Sequence, residues 1–240
     1  MPNVPTFKRG QVIWAVWCAF SHLGQDPRPE QVPVSFKTRV RKMGELGVPL
    51  SEKEKPGQSG IDIEYTAYNA FELAVALTCQ DTGLKQSEVA FFMRHNRPAL
   101  RACYERIMES PPSPGMQILG RDRPNSPTRM VVQAADPKGL GDPYRSNVAD
   151  TSCFMSFRYV EIREAWSNLK FKTSDWGGKG EHPFFFVPKF HYGLVELAKE
   201  MDRIAAAYQD NIRIVIELSN LAVIVTESLK RAPEIRRGRQ

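Results

Sequence analysis

Prolines at 111, 112, 114, 124 and 127, with Gly115 and Gly120 among them, interrupt the chain more severely than anything else in it. Proline has no backbone N–H to give, and its ring collides with the preceding helical turn, so neither a helix nor a central strand runs through such a stretch. Residues 110–128 therefore read as a linker. It divides the 240 residues into a mostly helical part, 1–109, and a part in which strand and helix signals mix, 129–240. Helices first and mixed elements afterwards predict an α+β protein of two domains.

In the first part, residues 11–23 carry Val12, Val16, Ala19 and Phe20 at helical spacing. A proline-containing loop, 24–34, leads to Ser35, which is placed to cap a second helix running to about Leu46. Phe36, Val40 and Met43, with Leu46 or Val48, form its inward stripe, while Lys37, Thr38, Arg39, Arg41 and Lys42 fall on its other faces. Residues 51–60 form a polar loop. Ile61, Ile63 and Tyr65 then alternate with Asp62 and Glu64, as a half-buried strand does. Thr66 can cap a helix over 67–80 that Gly83 ends in the left-handed conformation, and two further helices are expected over 85–93 and 98–108. Beyond the linker, strands are expected at 157–162, 182–187 and 211–217, with helices over 189–208 and 220–231.

The chemistry lies in the second helix. Lys37, Arg39, Arg41 and Lys42 fall within six residues with no acid among them, which predicts one strongly positive helix face. Such a helix fits the major groove of B-DNA, where arginine pairs with guanine edges and lysine with phosphates. Ser35 and Thr38 add neutral donors for phosphate oxygens near the helix N-terminus. Lys53 and Lys55 in the following loop alternate with Glu52 and Glu54 and are weaker candidates, and Tyr65 is placed to buttress that loop or touch the DNA backbone. A net charge of +6 and a pI near 9.2 agree with a polyanionic partner.

Tyr65-Thr66 opening a helix, leucines at Leu73 and Leu77, then Gly83-Leu84 and Glu88-Val89 make a spaced pattern. It resembles the MerR family, in which a Tyr-Ser/Thr after the wing starts a helix that ends in Gly-Phe/Leu and leads into a Glu-Ile helix. The stretch RVRKMGELG at 39–47 is similar to the recognition helix of that family and the turn after it. The resemblance covers residues 10–89 and implies a winged helix-turn-helix reading double-stranded DNA as a homodimer. Two departures stand out: a loop of about ten residues separates the first two helices, and Ser110-Pro111 stops the chain where the family has its long dimerisation helix. Phe190, Leu194, Leu197, Met201, Ile204 and Tyr208 recur at four-three spacing, a stripe expected to pack against the strands, with a substitute dimer seam as the alternative.

Other chemistries find little support. Cys18, Cys79, Cys103 and Cys153 lie far apart, and His22, His95, His182 and His191 have no ligand spacing, so no metal or cofactor is expected. Gly177, Gly178, Lys179 and Gly180 lack the spacing of a phosphate loop. Glu161 and Glu164 would point to opposite faces of a strand, and Phe184, Phe185 and Phe186 read as core, so no enzyme is expected. No 18-residue apolar run is present, so no membrane span is expected, and the scattered cysteines fit a reducing cytoplasm, nucleoid-associated in a bacterium. The basic tail, from Lys230 and Arg231 to Arg236, Arg237 and Arg239, could add phosphate contacts. The expectation is a sequence-specific transcriptional regulator with no effector specified; the alternative is a DNA-binding assembly or architectural protein of a phage or mobile element.

Overall fold

The computed structural model describes residues 5–21, 27–51, 54, 63–111, 152–158, 188–207 and 213–233. Six α-helices and two small antiparallel sheets make these residues a mixed helix-and-sheet structure of the α+β kind. Strand β1 (Phe7–Lys8) leads directly into helix α1 (Arg9–Phe20), and a 3-10 turn (Pro29–Gln31) precedes α2 (Val34–Glu45). Then come β2 (Glu64–Tyr65), α3 (Ala67–Asp81), α4 (Gln86–Glu109), β3 (Cys153–Arg158), β4 (Lys189–Tyr192), α5 (Leu194–Ala207), β5 (Arg213–Glu217) and α6 (Ser219–Arg231). The expected linker beyond residue 111, the strand at 182–187, residues 161, 164 and 177–180, and the tail beyond 233 lie outside the described residues.

Helix α3 is the centre. Thr66 caps it as expected: its hydroxyl accepts from Asn69 N–H at 3.2 Å, and the Asn69 carboxamide oxygen accepts from Thr66 N–H at 2.9 Å. Phe71, Leu73, Val75 and Leu77 are almost completely buried on several sides of it, because α1, α2, α4 and α6 all pack against it. Gly83, at φ +95°, ends the helix with its N–H on the Gln80 carbonyl, a conformation that favours glycine.

Where two helices were expected over 85–93 and 98–108, α4 is continuous, with Pro98 inside it. Proline removes the hydrogen bond to the carbonyl four residues back, yet Val89, Phe92, Met93, Asn96, Leu100, Cys103 and Ile107 lie buried on both sides of the gap. Packing of that long stripe holds the two halves in line. Tyr68 Oη also donates to the Arg97 carbonyl at 3.0 Å, one residue before the proline.

The second sheet has the order β4-β3-β5, all antiparallel, with Phe154 opposite His191 on one side and Glu217 on the other. It lies on α4: Phe157 meets Phe92 at 5.1 Å between ring centroids, the Cys103 and Cys153 sulfurs stand 3.0 Å apart, and the Arg106 guanidinium covers the Tyr192 ring. The expected helix over 189–208 divides here, because Lys189–Tyr192 is strand and Gly193, at φ +93°, turns the chain into α5. Phe190 consequently sits on the sheet and drops out of the helical seam, and Tyr208 lies outside the described residues. Strand β3 begins at Cys153, four residues before the expected start.

One buried cluster runs from Val12 on α1 to Leu229 on α6. Helix α6, which lies beyond the expected linker in sequence, packs on α1, α3 and α4. The core thus continues across the segment read as a boundary. Among the described residues, no helix is long and apolar enough to cross a membrane.

Candidate nucleic-acid interface

Helix α2 starts earlier than expected. Pro33, whose ring holds it in the extended conformation (φ −61°, ψ 145°), is the N-cap, and its carbonyl accepts from Lys37 N–H at 3.1 Å. Ser35 is therefore the second residue of the helix and exposed on its first turn. Phe36, Val40 and Met43 form the inward stripe as expected, all buried. Phe36 sits against Trp17 at 4.9 Å and Phe20 at 5.8 Å between ring centroids, and the indole of nearby Trp14 donates to the Pro27 carbonyl at 2.7 Å. These aromatic contacts fix the roll of α2 about its own axis.

The far end is fixed as firmly. Gly47 takes φ +83°; its N–H bonds the Gly44 carbonyl at 3.2 Å, and Val48 N–H bonds Met43 at 3.0 Å. Those two bonds, with Val48 and Met43 both buried, are a Schellman ending. Arg97 on α4 then clamps the turn, donating to the carbonyls of Gly47 at 3.3 Å and Pro49, to Glu54 Oε2 at 3.0 Å and to Glu72 Oε1 at 2.8 Å. Burial pushes the fully enclosed Glu72 carboxyl up to about 7 against the pull of Arg97. Burial also acts on Glu54, but bonds from the Ser51 N–H and hydroxyl, together with Arg97, hold it below the usual carboxylate range.

The expected basic residues separate into two sets. Lys37, Arg41 and Lys42 are exposed with Ser35, and Thr38 is half-buried between them. Arg41 meets Glu45 at 3.6 Å, with both side chains more than half exposed, an arrangement that stabilises a helix by only about 0.3–0.5 kcal/mol. Arg39 points elsewhere. It donates to the Leu77 carbonyl at 3.2 Å, to Gln80 at 3.2 Å and to Asp81 at 2.6 Å, binding α2 to the C-terminal turn of α3. A cation there also meets the negative end of the α3 dipole. The single face of four cations is thus one of three, and Glu45, one turn beyond Arg41, falls within the same arc. Lys53 and Lys55 lie outside the described residues.

Tyr65 is half-buried on β2, opposite Phe7 of β1, and packs against the core. Burial raises its hydroxyl against the opposing charge of Arg9, so it remains a neutral donor at ordinary pH. Exposed Arg9, the first residue of α1, lines a pocket with Val40 and Arg41 of α2 and with Tyr65. Sequence reasoning missed it, since the packing that brings it there joins residues far apart in the chain.

No protein-family model, curated protein or solved structure matches the chain.

One other arrangement has catalytic distances. Ser156 Oγ lies 2.7 Å from His191 Nε2, the separation that a nucleophile and its base require. Both side chains are buried, however, and Arg213 donates to the same hydroxyl at 3.2 Å. Burial lowers the His191 imidazole from its ordinary value against the pull of Glu200. His191 Nε2 and Arg213 Nη1 both bond the Ser156 hydroxyl inside the sheet. Among the described residues no three His, Cys, Asp or Glu side chains gather as a metal-binding group.

Proposed function

We propose that the chain is a sequence-specific DNA-binding transcriptional regulator whose N-terminal region is a winged helix-turn-helix of the MerR type. The observation that carries this reading is the outward face of α2: Ser35, Lys37, Arg41 and Lys42 are exposed together on a helix held at both ends. The helix would lie in the major groove, with Arg41 reaching a base edge and Lys37 and Lys42 reaching phosphates. The β1–β2 pair lies where this reading expects the base of a wing, and Tyr65, half-buried on β2, would brace it. Arg39 serves as a strut. Val34, 77% exposed at the first position of α2, offers an apolar contact of the kind that thymine methyl groups accept.

Homodimerisation is part of the same reading, through α5. Leu194, Leu197, Met201 and Ile204 keep a four-three stripe that is only half-buried, suited to a second copy of the chain.

Binding of the full chain to sheared genomic DNA, with sequencing of the retained fragments, tests the assignment. A shared motif arranged as an inverted repeat is the expected result. Binding without sequence preference would point instead to an architectural or assembly protein, and no binding at low salt would reject both. Replacing Lys37, Arg41 and Lys42 by alanine together should weaken binding and lower the salt slope by up to about three units, roughly 0.9 for each phosphate released.

A further inference from the structure

Beside α2 lies a pocket of about 350 Å³, within the range of small-molecule sites. Its floor is apolar and buried, made by Val12 of α1, Val40 of α2, Val48 of the turn after α2 and Leu73 of α3. Its mouth carries two exposed arginines, Arg9 and Arg41. Glu45 also lines the mouth, but its carboxylate already meets Arg41, while Arg9 has no acidic partner among the described residues. Among the described residues, one positive charge is left over at the rim of an apolar hole.

Gly44 supplies a second, independent observation. It stands inside α2, where glycine costs about 1 kcal/mol of helix stability relative to alanine. Its backbone is helical, so no left-handed turn demands it. A Cβ built there would meet nothing within 4 Å, and the position lines the pocket. The residue that weakens the helix is the one that leaves this space empty.

We propose that this pocket binds a small amphipathic monoanion, a carboxylate with an apolar body, whose tail lies on Val12, Val40, Val48 and Leu73 and whose charge meets Arg9 and Arg41. The neutral Tyr65 hydroxyl, which also lines the pocket, donates to the same headgroup. A phosphate or a sugar would leave the floor unused, and a neutral hydrocarbon would leave the arginines unused. The proposal goes beyond DNA binding but shares Arg41 with that reading, so ligand and duplex would compete for this side chain; Arg9, outside the α2 face, lets the two be tested apart.

Isothermal titration of the full chain with octanoate, octanol and octylamine, without DNA, tests it. Octanoate should bind saturably and at least tenfold more tightly than either of the others. Gly44→Leu should fill the pocket and abolish octanoate binding, whereas Gly44→Ala should retain it. Arg9→Gln should weaken octanoate at least tenfold and leave octanol unchanged, which keeps the test decisive if Gly44→Leu does not fold. Equal binding of octanoate and octanol, undiminished binding to a folded Gly44→Leu chain, or no saturation at millimolar octanoate would each overturn the proposal.

Discussion

Arg41 and Arg97 carry the same charge, and the structure uses them in opposite ways. Arg41, on the outward face of α2, meets one carboxylate at 3.6 Å in open solvent. Arg97, on α4 behind the turn that ends α2, donates to Gly47, Pro49, Glu54 and Glu72, the last of these fully buried. In water a flexible ion pair gains little, because each partner gives up solvent and rotamer freedom for a screened attraction. Inside, the same pair is costly to break, since the partner left behind keeps its charge without its shell. Cations on the α2 surface can therefore be exchanged for an external anion at small cost, and those beneath it cannot.

The largest consequence belongs to Arg97. Replacing it by alanine should destabilise the chain by about 3–5 kcal/mol, because Glu72 stays buried and unpaired; chemical unfolding at pH 8 reads this directly. A loss of under about 1 kcal/mol, the scale of an exposed pair, would erase the contrast with Arg41.

Glu72 gives that contrast a pH dependence. Its folded value of about 7 lies above the ordinary 4.5, so the folded chain holds the proton more tightly than the unfolded one. The stability this contributes is fully present below about pH 4.5 and is lost as the pH rises through about 7. Glu72→Gln should flatten the unfolding free energy between about pH 5 and 8, seen as parallel denaturation midpoints across that range.

Gly47 joins the two regions. Alanine there must take φ +83°, which for an L-residue costs about 1–2 kcal/mol, and thermal unfolding should report a loss of that size. Arg39→Ala should cost about 1 kcal/mol, since its bonds to Leu77, Gln80 and Asp81 are partly solvated. The triple replacement of Lys37, Arg41 and Lys42 by alanine should change stability least, by about 0.5 kcal/mol or less, even where duplex binding collapses. Circular dichroism melts of these last two variants, run side by side, separate the strut from the exposed face.

Much of the helical frame is written locally. Thr66 as a cap, Gly83 as a stop, and Phe36, Val40 and Met43 at i, i+4 and i+7 act within a turn or two of the chain, where neighbours in sequence are neighbours in space. The errors arise where distant contacts outweigh local preference. Pro98 signals a break, and the buried stripe on both sides overrides it. Residues 189–192 fit the helical period of residues 194–207, and pairing with β3 claims them as strand. Arg39, Arg41 and Lys42 read alike along the chain; only the position of the α3 C-terminus diverts the first of them.

By itself, the sequence determined the α+β class, the inward stripe of α2, the cap of α3 and the presence of a cationic helix, since each depends on spacing within a few residues. The tertiary structure alone decided which cations remain available to an anion. It also joined Arg9 to Arg41 at one pocket, carried the core from α1 to α6, and buried Glu72 beneath Arg97. The physical reason is that exposure and electrostatic environment depend on what the rest of the chain brings alongside a residue, and no local pattern contains that.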